Sequence, residues 1–511
     1  MTRLGLAATA ILITSAIVVS ALRARPVITD TDFAVSQVYV ELASRGQLLL
    51  GPYSRFGWHH PGPLFFYVTA PFYVLAGHEA AVMYAVALAI NLASLVTIGW
   101  VISRESPGPL ASTVVIGLLL LSWRAEPFLA SPWNAHVAIL PAIAALVIAA
   151  AVMSGRLQLL IPLVVFASFA IQTHVGFAPT VSIIALIAVV AGVMTWRAAG
   201  LSPWRPLTLA FAVLLLLSVP VIIEAATSAG GNILELWRFF IEEPQPSSSI
   251  RDVLAFSGYG LTSIIRPSFQ LSWSERVEVG DPTLSILGVL LTIALLIATV
   301  WRNVTEDRRF ETSLAIVALG ATAIGVWGMT QIRGFVLDYD LMRLAGVGTL
   351  DYSIIATIAL WPLANRIHGL RPAAVLRIVI IGAALVIGLR HLDSLTDFER
   401  RQNRYRILEA YRVVRDYLTR NGVKRPMLQV GPGRWGESAG VLARLVGDGT
   451  SVAVPSNLWF TPYFAPNGTE DAVVVLADPA LHNQLLSEPD NVVLLQAPPL
   501  FVVARRIVPA R

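Results

Sequence analysis

"LFFYVTAPFYVLAG", residues 64–77, decides how the rest of the chain is threaded. The stretch is apolar enough for a bilayer, but its roughly 14 residues fall short of the ~20 that a crossing helix needs, and Pro71 interrupts it. If it crossed, every later loop would change sides and the arginine-rich loops would face outward, against the positive-inside rule. It is therefore expected to lie as a short helix in the outer interface or to re-enter there, anchored by Tyr67, Phe72 and Tyr73.

The surrounding chain is oily. Of its 511 residues 56% are hydrophobic and 14% charged, where a soluble domain carries about 25% charge. Apolar runs at approximately 4–22, 79–102, 108–122, 137–153, 157–172, 178–196, 207–223, 283–301, 312–331, 345–364 and 373–390 predict an α-helical polytopic membrane protein with eleven spans, good to about one. A cleaved signal peptide is the rival reading of the first run, but no convincing cleavage site follows it, and both readings put residue 30 outside. With the N-terminus inside, the inner loops collect Arg104, Arg156, Arg197, Arg205, Arg302, Arg308 and Arg309, and the outer segments collect Asp30, Asp32, Glu41, Glu126, Glu224 and Glu235. The net charge of +5 is thus scattered as topology signals, with no patch that would suit a nucleic acid. With no cysteine, disulfides and thiolate chemistry are excluded.

From residue 391 the composition changes. An amphipathic helix carrying Ile407, Tyr411, Val414 and Leu418 leads into short strands "PMLQV", "SVAVP", "AVVVLA", "NVVLLQ" and "FVVARR", with helices "ESAGVLARLVG" and "PALHNQLL" between them. The expected division is a membrane domain, 1–390, and an extracytoplasmic α/β domain, 391–511. "GPGRWG", 431–436, matches a dinucleotide fingerprint literally, but the acid expected after the second strand is replaced by Ser456 and Asn457. A tight strand-to-helix turn is the better reading.

The polar residues with chemistry to offer gather on the outer side. Asp30 and Asp32 sit just beyond the first run, at the head of an amphipathic stretch with Ala34, Val38, Leu42 and Ala43 on one side. A carboxylate there can act as general base or hold a divalent cation such as Mg or Mn, and it can equally be an ordinary helix N-cap. In "GPYSRFGWHHPGP", 51–63, Arg55, His59 and His60 are braced by Pro52, Pro61 and Pro63, beside Tyr53 and Trp58. Arginine and histidine donate to phosphate oxygens, and the aromatic rings suit a sugar face or a headgroup belt. Glu126, Trp133, Asn134 and His136, then Gln172 and His174, then Glu224, Asn232, Glu235 and Arg238, lie at outer ends of later runs. Ionisable groups near membrane depth mark a cavity by default, although each could be a cap or an interhelical bond. Arg333, Asp338, Asp340 and Arg343 gather before the tenth run, where a structural salt bridge is as good a reading as a ligand site.

The order of these parts resembles the membrane glycosyltransferases of the GT-C superfamily, which include protein mannosyltransferases, aminoarabinose transferases of lipid A, and actinobacterial arabinofuranosyl- and mannosyltransferases. The similarity rests on the acidic pair Asp30 and Asp32, the helix ending "ELASRG", the element "HHPGP" at 59–63, which is similar to an HPP or KPP motif, and the short apolar helix ending "LAGHE". The stretches "SPWNAH", "QTH" and "GGNILELWRFF" resemble those of uncharacterised bacterial members. The resemblance implies a polyprenyl-phosphate sugar as donor, presented from the bilayer to an outward cavity, and an envelope glycan, lipid or protein as acceptor. It leaves Asp30 and Asp32 as rivals for the base, with Asp32 favoured by its place at the helix start. Arg55 and His59, with Arg238 or Arg333, would then steady the departing phosphate; the remaining contacts to the donor are expected from His60, Tyr53, Trp58, Glu126, Asn134, His136 and His174. Arginine in place of lysine points to a GC-rich bacterium, hence to its plasma membrane. A transporter or flippase, or an envelope polysaccharide polymerase or ligase, are the alternatives; transporters place their charges near the bilayer midplane, whereas these lie at helix ends.

Overall fold

The computed structural model describes residues 27–125, 128–228, 231–243, 249–266, 276–366, 372–401, 404–455, 460 and 462–507. The expected first span, 4–22, and Glu126 lie outside the described residues.

Helix α1, Thr31–Ser44, is the first of the described helices and is followed by a loop and by the short α2, Leu64–Leu75. The membrane bundle comprises α3 (Ala81–Glu105), α4 (Leu110–Arg124), α5 (Ile139–Met153), α6 (Leu160–Thr173), α7 (Ala178–Ala198), α8 (Trp204–Leu217), α9 (Val219–Thr227), α10 (Gly231–Trp237), α11 (Ile250–Leu261), α12 (Pro282–Thr305), α13 (Arg309–Met329), α14 (Asp338–Arg366) and α15 (Pro372–Arg401). Among the described residues six helices are long and apolar enough to cross a bilayer, or seven with α8 and α9, which form one run bent by 56°. The runs at 108–122 and 157–172 are helices too, but short ones, so length alone does not carry the expected total.

Helix α5 is the axis of the bundle, buried along nearly all its length. Its alanines, 142, 144, 145 and 149–151, let α3, α6, α7 and α13 approach closely, which is how helices associate where lipid supplies no hydrophobic drive between them.

Helix α2 is a 12-residue apolar helix with Pro71 inside, as its length predicts. It turns Phe65, Phe66 and Tyr73 inward and leaves Phe72, Val74 and Leu75 exposed. Tyr73 is thus no lipid anchor: it is buried and accepts a hydrogen bond from Gln37 at 3.2 Å, because α1 lies against that face. Tyr67 donates to the Leu48 carbonyl at 2.8 Å.

After α16 (Arg404–Arg420) the chain forms a four-stranded mixed sheet: β1 (Pro426–Val430), β2 (Ala472–Ala477), β3 (Val492–Ala497) and β4 (Leu500–Arg506), in the order β1-β2-β4-β3. β1 and β2 run parallel, with α17 (Trp435–Gly447) in the connection, and β4 pairs antiparallel with both β2 and β3. Helix α18, Pro479–Leu485, follows β2. The expected strand at "SVAVP" is reduced to one bridge between Met427 and Ala453, since Pro455 has no amide hydrogen to continue a ladder.

The glycines of "GPGRWG" serve packing. A side chain at Gly431 would collide with the Leu476 carbonyl, and one at Gly436 would meet Thr31 at 2.9 Å. The N-terminus of α17 therefore abuts α1 of the membrane domain, and the sheet stands at the same end of the bundle as α1. That contact changes α1 itself: the stretch expected to be amphipathic is buried on nearly every side, between α2 and α17.

Candidate functional site

At that end of the bundle a cavity of about 550 Å³ opens between α1, the loop before α2, the start of α7 and the start of α14. Asp32, Val35, Ser36 and Tyr39 form its first wall. They follow a spacing of three, four and seven residues, one stripe of a helix. Asp30 precedes the helix and makes its N-cap position without a side-chain cap bond, while Thr31 takes a φ of +46°, so the two aspartates part company: Asp32 faces the cavity and Asp30 does not. Asp32 is pushed up to about 7, first by burial and then by the negative charge of Asp30. Part of its surface meets the cavity, yet protein surrounds it on all other sides.

The loop 51–63 is a tight β-hairpin. Tyr53 pairs with His59, Ser54 N–H donates to the Trp58 carbonyl at 2.8 Å, and His60 N–H to that of Pro52 at 2.7 Å. The turn needs Gly57, whose φ is +93°. The hairpin places the Tyr53 hydroxyl to donate to Asp32 Oδ1. Its second strand is clamped from α10: His59 N–H donates to Asn232 Oδ1 at 2.7 Å, Asn232 Nδ2 donates to the His59 carbonyl at 2.8 Å, and the backbone N–H of Asn232 donates to the Glu224 carboxylate at 3.1 and 3.2 Å. Glu224 and Asn232 are buried, so breaking these bonds would leave polar groups unsatisfied away from water. At the tip Arg55 stands 3.9 Å from Asp340 and over the rings of Phe56 and Phe335 at 4.9 and 5.2 Å.

The histidines turn out to be neutral donors. Burial holds His59 down at about 4, and drives His60 well below its ordinary range, helped by His174 and His59. Val175 N–H donates to His60 Nδ1 at 3.0 Å and Gly176 N–H to His174 Nδ1 at 3.1 Å, which fixes the proton of each ring on Nε2. The two rings stack with centroids 4.5 Å apart, both on the cavity wall. Trp58, also buried on the wall, has an Nε1–H with no partner among the described residues. Opposite α1, the start of α14 contributes Tyr339, Asp340 and Arg343; Arg343 donates to the Gly176 carbonyl at 2.9 Å, and Leu337 N–H donates to Asp340 at 3.0 Å.

Of the residues singled out in the sequence, Asp32, Tyr53, Arg55, Trp58, His60, Asn134 and His174 line this cavity, and so do Trp133, Asp340 and Arg343. Asp30, His59, His136, Arg238 and Arg333, expected at the site, do not. Asp30 faces away from it. The His59 ring lies behind Tyr39, 3.4 Å from its hydroxyl. His136 is buried behind Trp133 and bonded to Ser131 at 3.1 Å. Arg238 is exposed on the far side of a π-turn whose Phe239 and Phe240 line the wall. Arg333 pairs with Glu243 at 2.6 Å and lies over the Phe239 ring at 3.4 Å, which takes its charge out of the cavity. Tyr39, Gln331 and Tyr339 were not anticipated; Tyr39 was within reach of the helical spacing from Asp32. Among the described residues no third His, Asp or Glu joins the aspartates in a group able to hold a metal ion.

The bundle, with an acid-bearing helix and a short apolar helix at one end and a terminal α/β domain over that same end, has a fold that solved membrane-protein structures share. Two crystal structures of ArnT from Cupriavidus metallidurans are similar to it over 98% of this chain and 97% of theirs: one bound to undecaprenyl phosphate, with a TM-score of 0.56 at 13% identity, and one in the apo state, with 0.54 at 14%. At that identity the likeness is one of fold. No family model and no curated protein sequence matches the chain.

Proposed function

We propose that the protein moves a sugar from a polyprenyl-phosphate donor to an acceptor hydroxyl within this cavity, on the side of a bacterial plasma membrane away from the cytoplasm. One observation carries the reading: a partly desolvated carboxylate and two arginines share a single hollow at one end of a bundle of apolar helices. The undecaprenyl phosphate in the similar ArnT structure supports the donor class.

In this mechanism the acceptor oxygen attacks the anomeric carbon, and its proton passes to Asp32. The bond from that carbon to the phosphate oxygen breaks on the opposite face, its electron pair leaving with the polyprenyl phosphate, so the anomeric centre inverts. Asp32 near 7 is matched to taking a proton at neutral pH. Tyr53 holds the carboxylate by its Oδ1 and leaves Oδ2 for the proton. Arg55 and Arg343 meet the charge that grows on the phosphate, a role that strengthens toward the transition state. Neutral His60, His174 and Trp58 offer N–H groups to oxygens of the sugar or phosphate. Purified protein given undecaprenyl-phosphate-linked radiolabelled sugars should transfer or hydrolyse them; movement of the lipid between leaflets without bond cleavage would favour a flippase instead.

A further inference from the structure

The terminal α/β domain reaches both parts of the proposed acid site. On one side α17 lies along α1: a side chain at Gly440 would come within 2.7 Å of the Thr29 carbonyl, Arg444 donates to the Val27 carbonyl at 3.3 Å, and Arg45 donates to that of Val446 at 2.7 Å. On the other side a single hydroxyl, that of Tyr463, accepts the backbone N–H groups of Leu49 and Leu50 at 2.9 and 3.0 Å. Leu50 leads directly into Gly51, whose backbone is pressed so closely on His60 that a side chain there would collide with the His60 carbonyl. The Tyr463 ring also stands edge-on to Tyr39 on the cavity wall, with centroids 6.5 Å apart.

We infer that Tyr463 is a positioning residue: it fixes the root of the 51–60 hairpin to the domain that also grips α1, and so sets the meeting of Tyr53 with Asp32. The domain then acts as a frame for the site, not as a separate module beside it. Two N–H donors otherwise need water or another acceptor, and a hairpin free to tilt by an ångström would carry Tyr53 out of reach of the carboxylate. The effect on turnover rests on the proposed transfer reaction; the mechanical link does not.

Tyr463→Phe in the full-length protein tests it, by amide hydrogen exchange and by kinetics. The variant removes one oxygen and keeps the ring. Exchange at Leu49 and Leu50 should rise about fivefold, as for one lost hydrogen bond, and the rise should spread through 51–60 while α5 is unchanged. With an undecaprenyl-phosphate-linked sugar, kcat should fall about tenfold at nearly constant KM. Glu488→Gln, on the far edge of the same domain, should alter neither. A rise confined to 460–464, or full kcat with a loosened hairpin, would overturn the positioning role. If the native protein transfers no sugar, the exchange result still decides the link and only the proposed reaction fails.

Discussion

The two long walls of the cavity are built on opposite plans. The wall from α1 and its hairpin is protein-locked: Asp32, Tyr39 and Tyr53 sit on backbone held by α2, α17, Asn232 and Tyr463. The wall from α14 is the first turns of a membrane helix, where Arg343 and Asp340 are held by groups of neighbouring loops and Arg55 reaches across from the hairpin tip. A proton acceptor must be held to within a fraction of an ångström of one hydroxyl, whereas a cation acts over several ångströms on a phosphate. In the proposed reaction the wall that carries Asp32 therefore serves the proton and the wall that carries the arginines serves the charge.

The largest effect that would break this division is at Asp32. Asp32→Asn should lower transfer by 10²-fold or more, in keeping with the worth of general base catalysis, with an unchanged melting temperature. Next come the arginines: Arg343→Gln should lower kcat by about 10²-fold, as for loss of one oxyanion donor, and Arg55→Gln by less, since Arg55 is the more exposed of the two. Equal loss at Asp32 and Arg55 with no loss at Arg343 would undo the assignment of the walls. The pH profile sharpens it. Asp32 acts when ionised, so the rate should rise with pH through about 7 and be lost below it. Because the charge of Asp30 helps to raise Asp32, Asp30→Asn should move that limb to lower pH while keeping most of the plateau rate. Smallest of all, Arg238→Ala should change transfer by less than about twofold, since it stands off the cavity and exposed side chains of this kind contribute little.

The sequence was most readable where one element answers to one rule. Pro71 and the apolar run at 64–77 pointed to a helix too short to cross, and Leu64–Leu75 is that helix. The outer polar residues pointed to one end of the bundle, and Asp32 was separable from Asp30 by its place at the helix start. What failed to show depends on contacts distant in sequence. Nothing in 28–49 says that α17, some 400 positions later, will bury its outer face, so a buried helix reads as amphipathic. Tyr73 reads as a lipid anchor because a tyrosine facing Gln37 and one facing headgroups look alike in a string. Among many arginines, Arg333 and Arg343 differ only in their neighbours: Glu243 and Phe239 occupy the first, while the second is turned to the cavity. His59 and His60 are adjacent in the chain, and the hairpin sends one ring behind Tyr39 and the other to the wall.

The central claim concerns where a phosphate sits relative to Asp32, and an experimental structure of the purified protein with undecaprenyl phosphate tests it most directly. The account places the phosphate in the cavity, within hydrogen-bond reach of Arg55 or Arg343 and on the side facing Asp32. A phosphate bound instead at the outer surface beside Arg238 or Arg333, with the cavity closed to it, would contradict the account.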